Sequence, residues 1–542
     1  MDGQSSHLYD IFIRNGTVYD GIATPPRVVD VAIRGDRVAA LGPALPGRAG
    51  ETVDASGKAV APGFINMLSH SYHSLLVDGR GLSELTQGVT TQVFGEGHSM
   101  GPLTAEMRNR MRENQPFGRF DVPWSSLAGY LAHAEATGVA QNVCSYIGAT
   151  SLRAYVVGED DRPATAAELE TMRAIVRDEM AAGALGIGSS LIYPPAFFAS
   201  TEELIALCDA AAPYEGKYIS HMRNEGNALL EAIDELVRIS REGGVAAEIY
   251  HLKAGGVDNW PKMDQAIERV ESARAEGLAI TADMYTYRAG ATGLSNAIPP
   301  WFHDGGAPRL YERLADPGQR AAIRTAIETQ FDGWENFLHG TGGPHGVLIL
   351  QVRKPEHRKY QGKRLSEIAG MMGVDAIEAL MDLVRDDRSR VTTAYFMMSE
   401  ENVRRQVQLP WMAFGSDAQA VAREGAFLEA STHPRAYGNF ARLLGHYVRD
   451  EGLVPMEEAI RRLTSFPAEN LGLKQRGRLE EGCYADVVVF DPATITDRAT
   501  FEAPHAYSEG VEQVIVNGSF ALRDGQATGT MPGRALHGAG LR

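Results

Sequence analysis

Cysteine is scarce. The 542-residue chain has three, Cys144, Cys208 and Cys483, far apart and outside any Cys-x-x-Cys pattern. An odd and scattered set speaks against a disulfide framework and for a reducing compartment. Basic residues are in deficit as well: 52 Lys and Arg face 69 Asp and Glu, a net charge of −17, which argues against the basic surface that a nucleic-acid partner requires. No apolar run approaches the ~18 to 20 residues that span a bilayer, and the opening Met-Asp-Gly-Gln-Ser-Ser-His lacks the basic and apolar parts of a secretion signal. A soluble, cytoplasmic protein with no membrane partner is expected. Nucleotide signatures are also missing. No Gly-x-Gly-x-x-Gly follows the first strand-like run, and Gly95-Glu-Gly-His-Ser-Met-Gly101 lacks the Lys-Ser/Thr of a phosphate loop, so it reads as a turn that places Glu96 or His98.

What is present is ordinary in bulk, with 44% hydrophobic and 22% charged residues. The length exceeds what one hydrophobic core serves, so a barrel of roughly 250 residues or more with additions, or two to three domains, is expected. Short β-runs open the chain, among them Tyr9-Asp-Ile-Phe-Ile-Arg14, Val29-Asp-Val-Ala-Ile33 and Arg37-Val-Ala-Ala-Leu41, with Asn15-Gly and Gly35-Asp as hairpin signals. The same style returns in Ala485-Asp-Val-Val-Val-Phe490 and Val511-Glu-Gln-Val-Ile-Val516. The two ends, residues 1–61 and 471–542, therefore read as one small β-domain, or failing that as two separate ones. Between residues 62 and 470, β-runs alternate with amphipathic stretches such as 166–180, 201–212, 228–240 and 265–276, the βα pattern of a parallel barrel or a doubly wound sheet. Residues 297–375 break the rhythm and are long enough for an inserted lid over a barrel's C-terminal face.

Three apolar runs end in residues with chemistry. Met412-Ala-Phe-Gly-Ser-Asp417 delivers a carboxylate; Gly216-Lys-Tyr-Ile-Ser-His221 and Val245-Ala-Ala-Glu-Ile-Tyr-His251 each deliver an imidazole. One histidine after an apolar strand is ordinarily a satisfied core or surface residue. Two imidazoles and an aspartate at successive strand ends form the set that a barrel hydrolase uses to hold a metal and activate water.

Ala61-Pro-Gly-Phe-Ile-Asn-Met-Leu-Ser-His70, Gly88-Val-Thr-Thr91, Ser220-His-Met-Arg-Asn-Glu225, Tyr250-His-Leu-Lys253, Asp283-Met-Tyr-Thr-Tyr287, Gly415-Ser-Asp417, His433-Pro-Arg-Ala-Tyr-Gly438 and Gly477-Arg-Leu-Glu-Glu-Gly-Cys-Tyr-Ala-Asp486 extend the pattern over nearly the whole chain. Together they resemble the N-acyl-D-amino-acid amidohydrolases (D-aminoacylases) of the amidohydrolase superfamily. The resemblance implies a (β/α)8 TIM-like barrel in the α/β class, a β-sandwich built from both termini, an inserted lid and one or two zinc ions at the barrel mouth. By residue, it implies that His221 and His251 hold the tight zinc, that Asp417 is the catalytic aspartate, that Lys253 and Tyr285 grip the substrate carboxylate, and that Arg435 and Tyr193 line the pocket.

The chain departs from the family at three places. Where the family's first strand ends in His-x-His, this chain has Leu68-Ser-His70, so one ligand is absent. The family's bridging cysteine is absent from the turn that here carries Glu96, and a carboxylate can take its place on zinc at ~2.0 to 2.2 Å. Gly148-Ala-Thr-Ser-Leu-Arg153 has alanine in place of a family histidine. The set then implied is one well-held Zn2+ on Glu96, His221 and His251, a weaker second site involving His70 and Asp417, and His73 and His98 as spare imidazoles. The expected substrate is a small N-acyl-D-amino acid. Alternatives are an amidohydrolase for a cyclic amide, dipeptide or xenobiotic amide, or an inactive relative that serves as a binding protein. Oligomeric state is left open.

Overall fold

Eight short parallel strands, buried along nearly their whole length, close into a barrel in the computed structural model, which describes residues 8–115, 117–329 and 333–541. They are Phe64–Asn66, Val89–Phe94, Asn142–Ser145 continuing as Ile147–Gly148, Gly186–Ser190, Lys217–His221, Ala247–Ile249, Ile280–Met284 and Met412–Phe414. Each pairs in parallel with the next. The ring closes where the Met67 amide donates to Phe414 (3.2 Å) and the Asp417 amide to Leu68 (2.9 Å). Strands covered on both faces are buried along their whole length rather than on alternate residues, so Met412-Ala-Phe414 is apolar throughout and even Thr90, Thr91 and Gln92 of Val89–Phe94 are kept from water.

The helices between strands follow their sequence periodicity. Leu229–Gly243 buries Leu229, Ala232, Ile233, Leu236, Ile239 and Gly243, one stripe at helical spacing. It stops at Gly244, whose φ of 66° is the left-handed conformation that glycine adopts without strain. Ala166–Ala181 is opened by a capping box in which Thr165 and Glu168 satisfy each other's backbone N–H.

The two chain ends share one nine-stranded sheet. Ala59–Pro62 from the N-terminal part pairs antiparallel with Val487–Phe490 from the C-terminal part. Gly35-Asp36 and Asn517-Gly518 are two-residue hairpin turns, as their sequences predict. Asn15-Gly16 is not: it lies inside the strand Tyr9–Val18 as a bulge, with Asn15 at φ 62°. The last residues leave this sheet and run along the barrel, where the Gly533 amide donates to Val139 and the Leu536 amide to Val143.

Between the seventh and eighth barrel strands the chain makes a long excursion. Its helical part includes Gly306–Ala315, Pro317–Glu328 and Leu365–Met372. A three-stranded antiparallel sheet of Gly290–Gly293, Thr392–Tyr395 and Val347–Gln351 draws in residues on both sides of the 297–375 segment. The strand Gly290-Ala-Thr-Gly293 has no large apolar residue, so its sequence does not announce it.

Candidate metal centre at the barrel mouth

All the strand-end groups gather at the C-terminal mouth. His221 is the last residue of its strand; His251, Glu96 and Asp417 lie just past Ala247–Ile249, Val89–Phe94 and Met412–Phe414, and His70 follows Phe64–Asn66. Two of these side chains sit on strained backbone: His251 has φ 34° and Asp417 φ 48°, conformations that cost non-glycine residues about 1–3 kcal/mol and concentrate at functional sites. The Glu96 turn works through its flanking glycines, with φ of 112° at Gly95 and 63° at Gly97. A Cβ on Gly95 would stand 2.6 Å from the Tyr146 carbonyl oxygen, so the turn packs too closely for any other residue.

Glu96 is the hub. Its Oε1 lies 2.8 Å from His221 Nδ1, 3.2 Å from His251 Nε2 and 3.1 Å from the Ser190 hydroxyl that donates to it. Its Oε2 lies 3.0 Å from His70 Nε2, and the same His70 nitrogen is 3.0 Å from Asp417 Oδ1. Two groups of donor atoms result, Glu96–His221–His251 and His70–Glu96–Asp417, each with all atoms within 4.8 Å of one another and with Glu96 common to both. Burial alone would raise the Glu96 carboxyl, but His221, His251 and His70 hold it well below the usual range. Burial likewise opposes charge on His221 and His70, yet Glu225 and Glu96 push His221 up to about 10, and Asp417 and Glu96 push His70 up to about 9. A buried carboxylate and two imidazoles converging on one point fit zinc by donor type and number.

Outside the imidazoles stands Glu225. Its Oε1 is 3.1 Å from His251 Nδ1, and its Oε2 is 3.3 Å from His221 Nε2, close enough for attraction but not aligned for a hydrogen bond. One carboxylate thus stands beside the outer nitrogen of both histidines, and at His251 it shares that nitrogen with Lys253, a support that orients imidazoles in metal sites. Lys253 donates to both Glu225 oxygens at 2.7 Å, and its Nζ lies 2.7 Å from His251 Nδ1. Burial opposes the Lys253 charge, but Glu225 outweighs it and holds the ammonium up to about 12. Its three donors all have partners within the protein.

The remaining expected site residues surround this centre. Arg435 Nη1 is 2.8 Å from Asp417 Oδ2, and its guanidinium lies 4.5 Å from the Tyr285 ring centre, with Lys253 5.9 Å from the same ring. Burial disfavours the Asp417 carboxylate, but Arg435 and then His70 hold its pKa below the usual value. Among the described residues the Tyr285 hydroxyl has the Met398 thioether as its hydrogen-bond partner, at 3.5 Å. Tyr193 packs edge-on to His221, ring centres 5.2 Å apart. His98 lines the mouth, while half-buried His73 packs against Tyr72 and Phe120 and is lowered to about 4 by desolvation and His98. Among the described residues neither joins a group able to hold a metal.

Three contributors carry no strand-end signal. Glu225 lies four residues past His221, inside a segment whose histidine draws the eye. Asp283, on the seventh strand, accepts the His251 amide at 2.9 Å and steadies its unusual backbone. Asn66 ties the first and eighth strands together, accepting the Ser416 amide at 2.8 Å and donating to buried Glu84 at 2.9 Å. Two adjoining cavities, of about 150 and 200 Å³, meet at His70, Tyr72, Ala291 and Asp417. Glu225, Lys253 and Tyr285 line the first; Phe427, His433 and Arg435 line the second.

A (β/α)8 barrel with a carboxylate, imidazoles and an ionised aspartate at its C-terminal mouth defines the class of metal-dependent hydrolases. The sequence matches the amidohydrolase family over residues 51–521. It is 34% identical to the D-aminoacylase of Alcaligenes xylosoxydans xylosoxydans over 541 residues, 99% of each chain. Among solved structures it is similar to N-acyl-D-glutamate deacylase from Bordetella bronchiseptica, complexed with zinc and a phosphonate mimic of the tetrahedral intermediate (TM-score 0.79, 29% identity, 98% of this chain and 99% of that one). It is also similar to a D-aminoacylase with a binuclear metal centre, described by one-metal activation and second-metal attenuation (TM-score 0.80, 33% identity, 98% and 100%). The chain belongs to the amidohydrolase family, in its D-aminoacylase group. No helix among the described residues is long and apolar enough to cross a membrane.

Proposed function

We propose that the protein hydrolyses the amide bond of N-acyl-D-amino acids, releasing a carboxylic acid and a free D-amino acid. The observation that carries this reading is the single point of convergence: Glu96, His221 and His251 around one position, with Asp417 reached through His70. Glu96, His221 and His251 would hold one zinc ion tightly, and His70 with Asp417 and the shared Glu96 would form a weaker second site. Bound there, zinc would supply a water acidic enough to give up its proton near neutral pH and would polarise the scissile carbonyl.

The protein's own groups do the rest. Asp417, kept ionised by Arg435, takes a proton from the attacking water and returns it to the leaving nitrogen as the amide bond breaks. Lys253 and Arg435, on either side of Tyr285, make a positive wall for the substrate's α-carboxylate. Because the Lys253 donors face Glu225 and His251, Lys253 adds charge to that wall and the Tyr285 hydroxyl adds a hydrogen bond. With the carboxylate held there and the acyl carbon facing Asp417, one hand of the α-carbon presents the bond correctly. Tyr193 closes the mouth beside His221.

The test is a panel of N-acyl-D- and N-acyl-L-amino acids assayed with zinc-loaded wild type and Asp417→Asn. Hydrolysis restricted to the D-series, with kcat lowered at least ~100-fold in Asp417→Asn and zinc retained, is the expected outcome. A variant that keeps more than about a tenth of wild-type turnover would remove Asp417 from the base role.

A further inference from the structure

An outer cleft of about 1450 Å³ adjoins both inner cavities, sharing Tyr193 and Thr292 with one and Gln351 and Thr392 with the other. Gln351 and Thr392 are register partners at the outer end of the excursion's sheet. Two residues beyond Gln351 comes Arg353; two before Thr392 comes Arg390, preceded by Arg388; all three line the outer cleft. At the strand rise of ~3.3 Å per residue, the Arg353 and Arg390 backbones stand roughly 7 Å outside the inner cavity, with Arg388 in the turn beyond.

This group is built rather than scattered. Asp387 is fully buried, and its carboxylate accepts the amides of Arg353 (2.9 Å) and Lys354 (3.1 Å) and lies 2.9 Å from His357 Nδ1. It thereby ties the 353–357 loop to the 387–390 turn, and it is spent on those partners. Among the described residues the guanidiniums of Arg353 and Arg388 have no hydrogen-bond or ion-pair partner, and Arg390 has only the Asp387 backbone carbonyl at 2.9 Å. Arg388 and Ser389 both sit in left-handed backbone, at φ 53° and 54°, a strained turn of the kind kept at functional sites. The Ser389 hydroxyl is buried without a partner. Burial, then the charges of Arg390 and Arg119, lower the Arg353 guanidinium against the opposing charge of Asp387, so these cations crowd around a single buried acid. In a chain of net charge −17, three arginines around one acid at the entrance to the site leave an excess of positive charge that suits an anion.

We propose that Arg353, Arg388 and Arg390 form a subsite for a second negative charge on the substrate, a carboxylate at the far end of the acyl arm. The proposal rests on the N-acyl-D-amino acid reading and deepens it by naming an ω-carboxyacyl substrate class. The α-carboxylate is served by Lys253, Arg435 and Tyr285 deep in the barrel. We assign the group that reaches past Gln351 and Thr392 to the acyl side of the scissile bond, and the N-acetyl-D-glutamate comparison below sets this against the amino-acid side chain.

The test compares the N-glutaryl and N-pentanoyl derivatives of one D-amino acid, which match in length and differ by a terminal carboxylate against a methyl. Binding is measured by calorimetry on the metal-depleted full-length protein, which separates recognition from turnover. The glutaryl derivative is expected to bind at least about tenfold more tightly, the worth of charge-assisted hydrogen bonds, and this advantage to shrink in high salt. In Arg353→Gln/Arg390→Gln, and to a smaller degree in Arg388→Gln, the advantage should fall to within about twofold while N-pentanoyl binding is unchanged. Equal binding of the two derivatives by wild type, or an advantage that survives in the double variant, would overturn the subsite. So would a preference for N-acetyl-D-glutamate that disappears in the double variant, since that places the arginines at the amino-acid side chain. Zinc-loaded turnover is read separately. Failure to hydrolyse either derivative strikes the N-acyl-D-amino acid reading, while a glutaryl preference in binding would still stand as an anion site.

Discussion

Glu96 stands where the family resemblance implies a bridging cysteine, and its geometry reaches both groups of candidate metal ligands. One oxygen faces His221 and His251, the other faces His70. Removing it should therefore cost both metal positions at once. In Glu96→Ala, protein purified without chelator should contain less than about a tenth of the wild-type zinc by elemental analysis, since one of few first ligands is gone. Wild-type zinc content in that variant would show that His70 and Asp417 suffice. Glu225 acts one step further out, on the outer nitrogens of both histidines. Glu225→Gln should weaken zinc binding about 10- to 100-fold in a chelator competition while leaving Asp417 and its pH profile in place. An unchanged zinc affinity would reduce Glu225 to a partner for Lys253 alone.

At the scale of elements, the site depends on loops that leave the strands at angles ordinary residues resist. The Gly95-Glu96-Gly97 turn lies against the fourth strand, and a Cβ on Gly97 would come within 2.6 Å of Ser190 Cβ. Ser190 in turn donates to Glu96. Gly97→Ala should push Ser190 outward and tilt the Glu96 carboxylate, costing about 1–3 kcal/mol of local strain. The expected readout is weaker zinc binding and lower kcat with a nearly unchanged melting temperature in the metal-free protein. A large loss of metal-free stability would mean instead that the turn is a general support of the barrel. The excursion between the seventh and eighth strands belongs to the same scale. Its three-stranded sheet carries Thr292, Tyr395 and Arg390 along one ribbon from the inner cavity to the outer cleft.

For the molecule as a whole, the closure of the barrel carries a pH dependence. Glu84 is completely buried beneath the joint of the first and eighth strands, and burial pushes its carboxyl up to about 8 against the bonds from Ser416 and Asn66. A folded-state pKa above the unfolded value means that the native state holds the proton more tightly. This term is most favourable below about pH 4.5 and is lost as pH rises toward 8. Glu84→Gln keeps the shape and removes the proton. Its melting temperature relative to wild type should therefore rise between about pH 5.5 and about pH 8.5, in keeping with linkage. A difference independent of pH would show that Glu84 is already ionised in the folded protein across this range, as it is in the unfolded chain. Net charge acts at this scale too: an enzyme at −17 that takes an anionic substrate must concentrate positive charge where the substrate enters, and the outer arginines stand there.

The sequence by itself determined the parts that repeat locally. Alternating apolar runs and amphipathic stretches specify strands and helices because their periods of two and 3.6 are set by backbone geometry. Glycine at helix ends and Gly35-Asp36 or Asn517-Gly518 between strands punctuate them. Strand-end residues such as His221, His251 and Asp417 could be named because a parallel barrel opens its C-terminal ends to solvent and substrate. Asn15-Gly16 misled, since the same dipeptide serves a bulge as readily as a turn and only the neighbouring strand decides. Tertiary structure brought Asp417, more than 300 positions away in sequence, against His70 and Glu96, because barrel closure joins the first strand to the eighth. It also decided what stands behind the cluster. Glu225, Asp283 and Asn66 carry no periodic signal, and their roles come from which nitrogen or amide each one faces. The outer arginines lie beyond sequence reading for the same reason: only the fold decides which guanidiniums gather at one cleft and which are tied up in ion pairs.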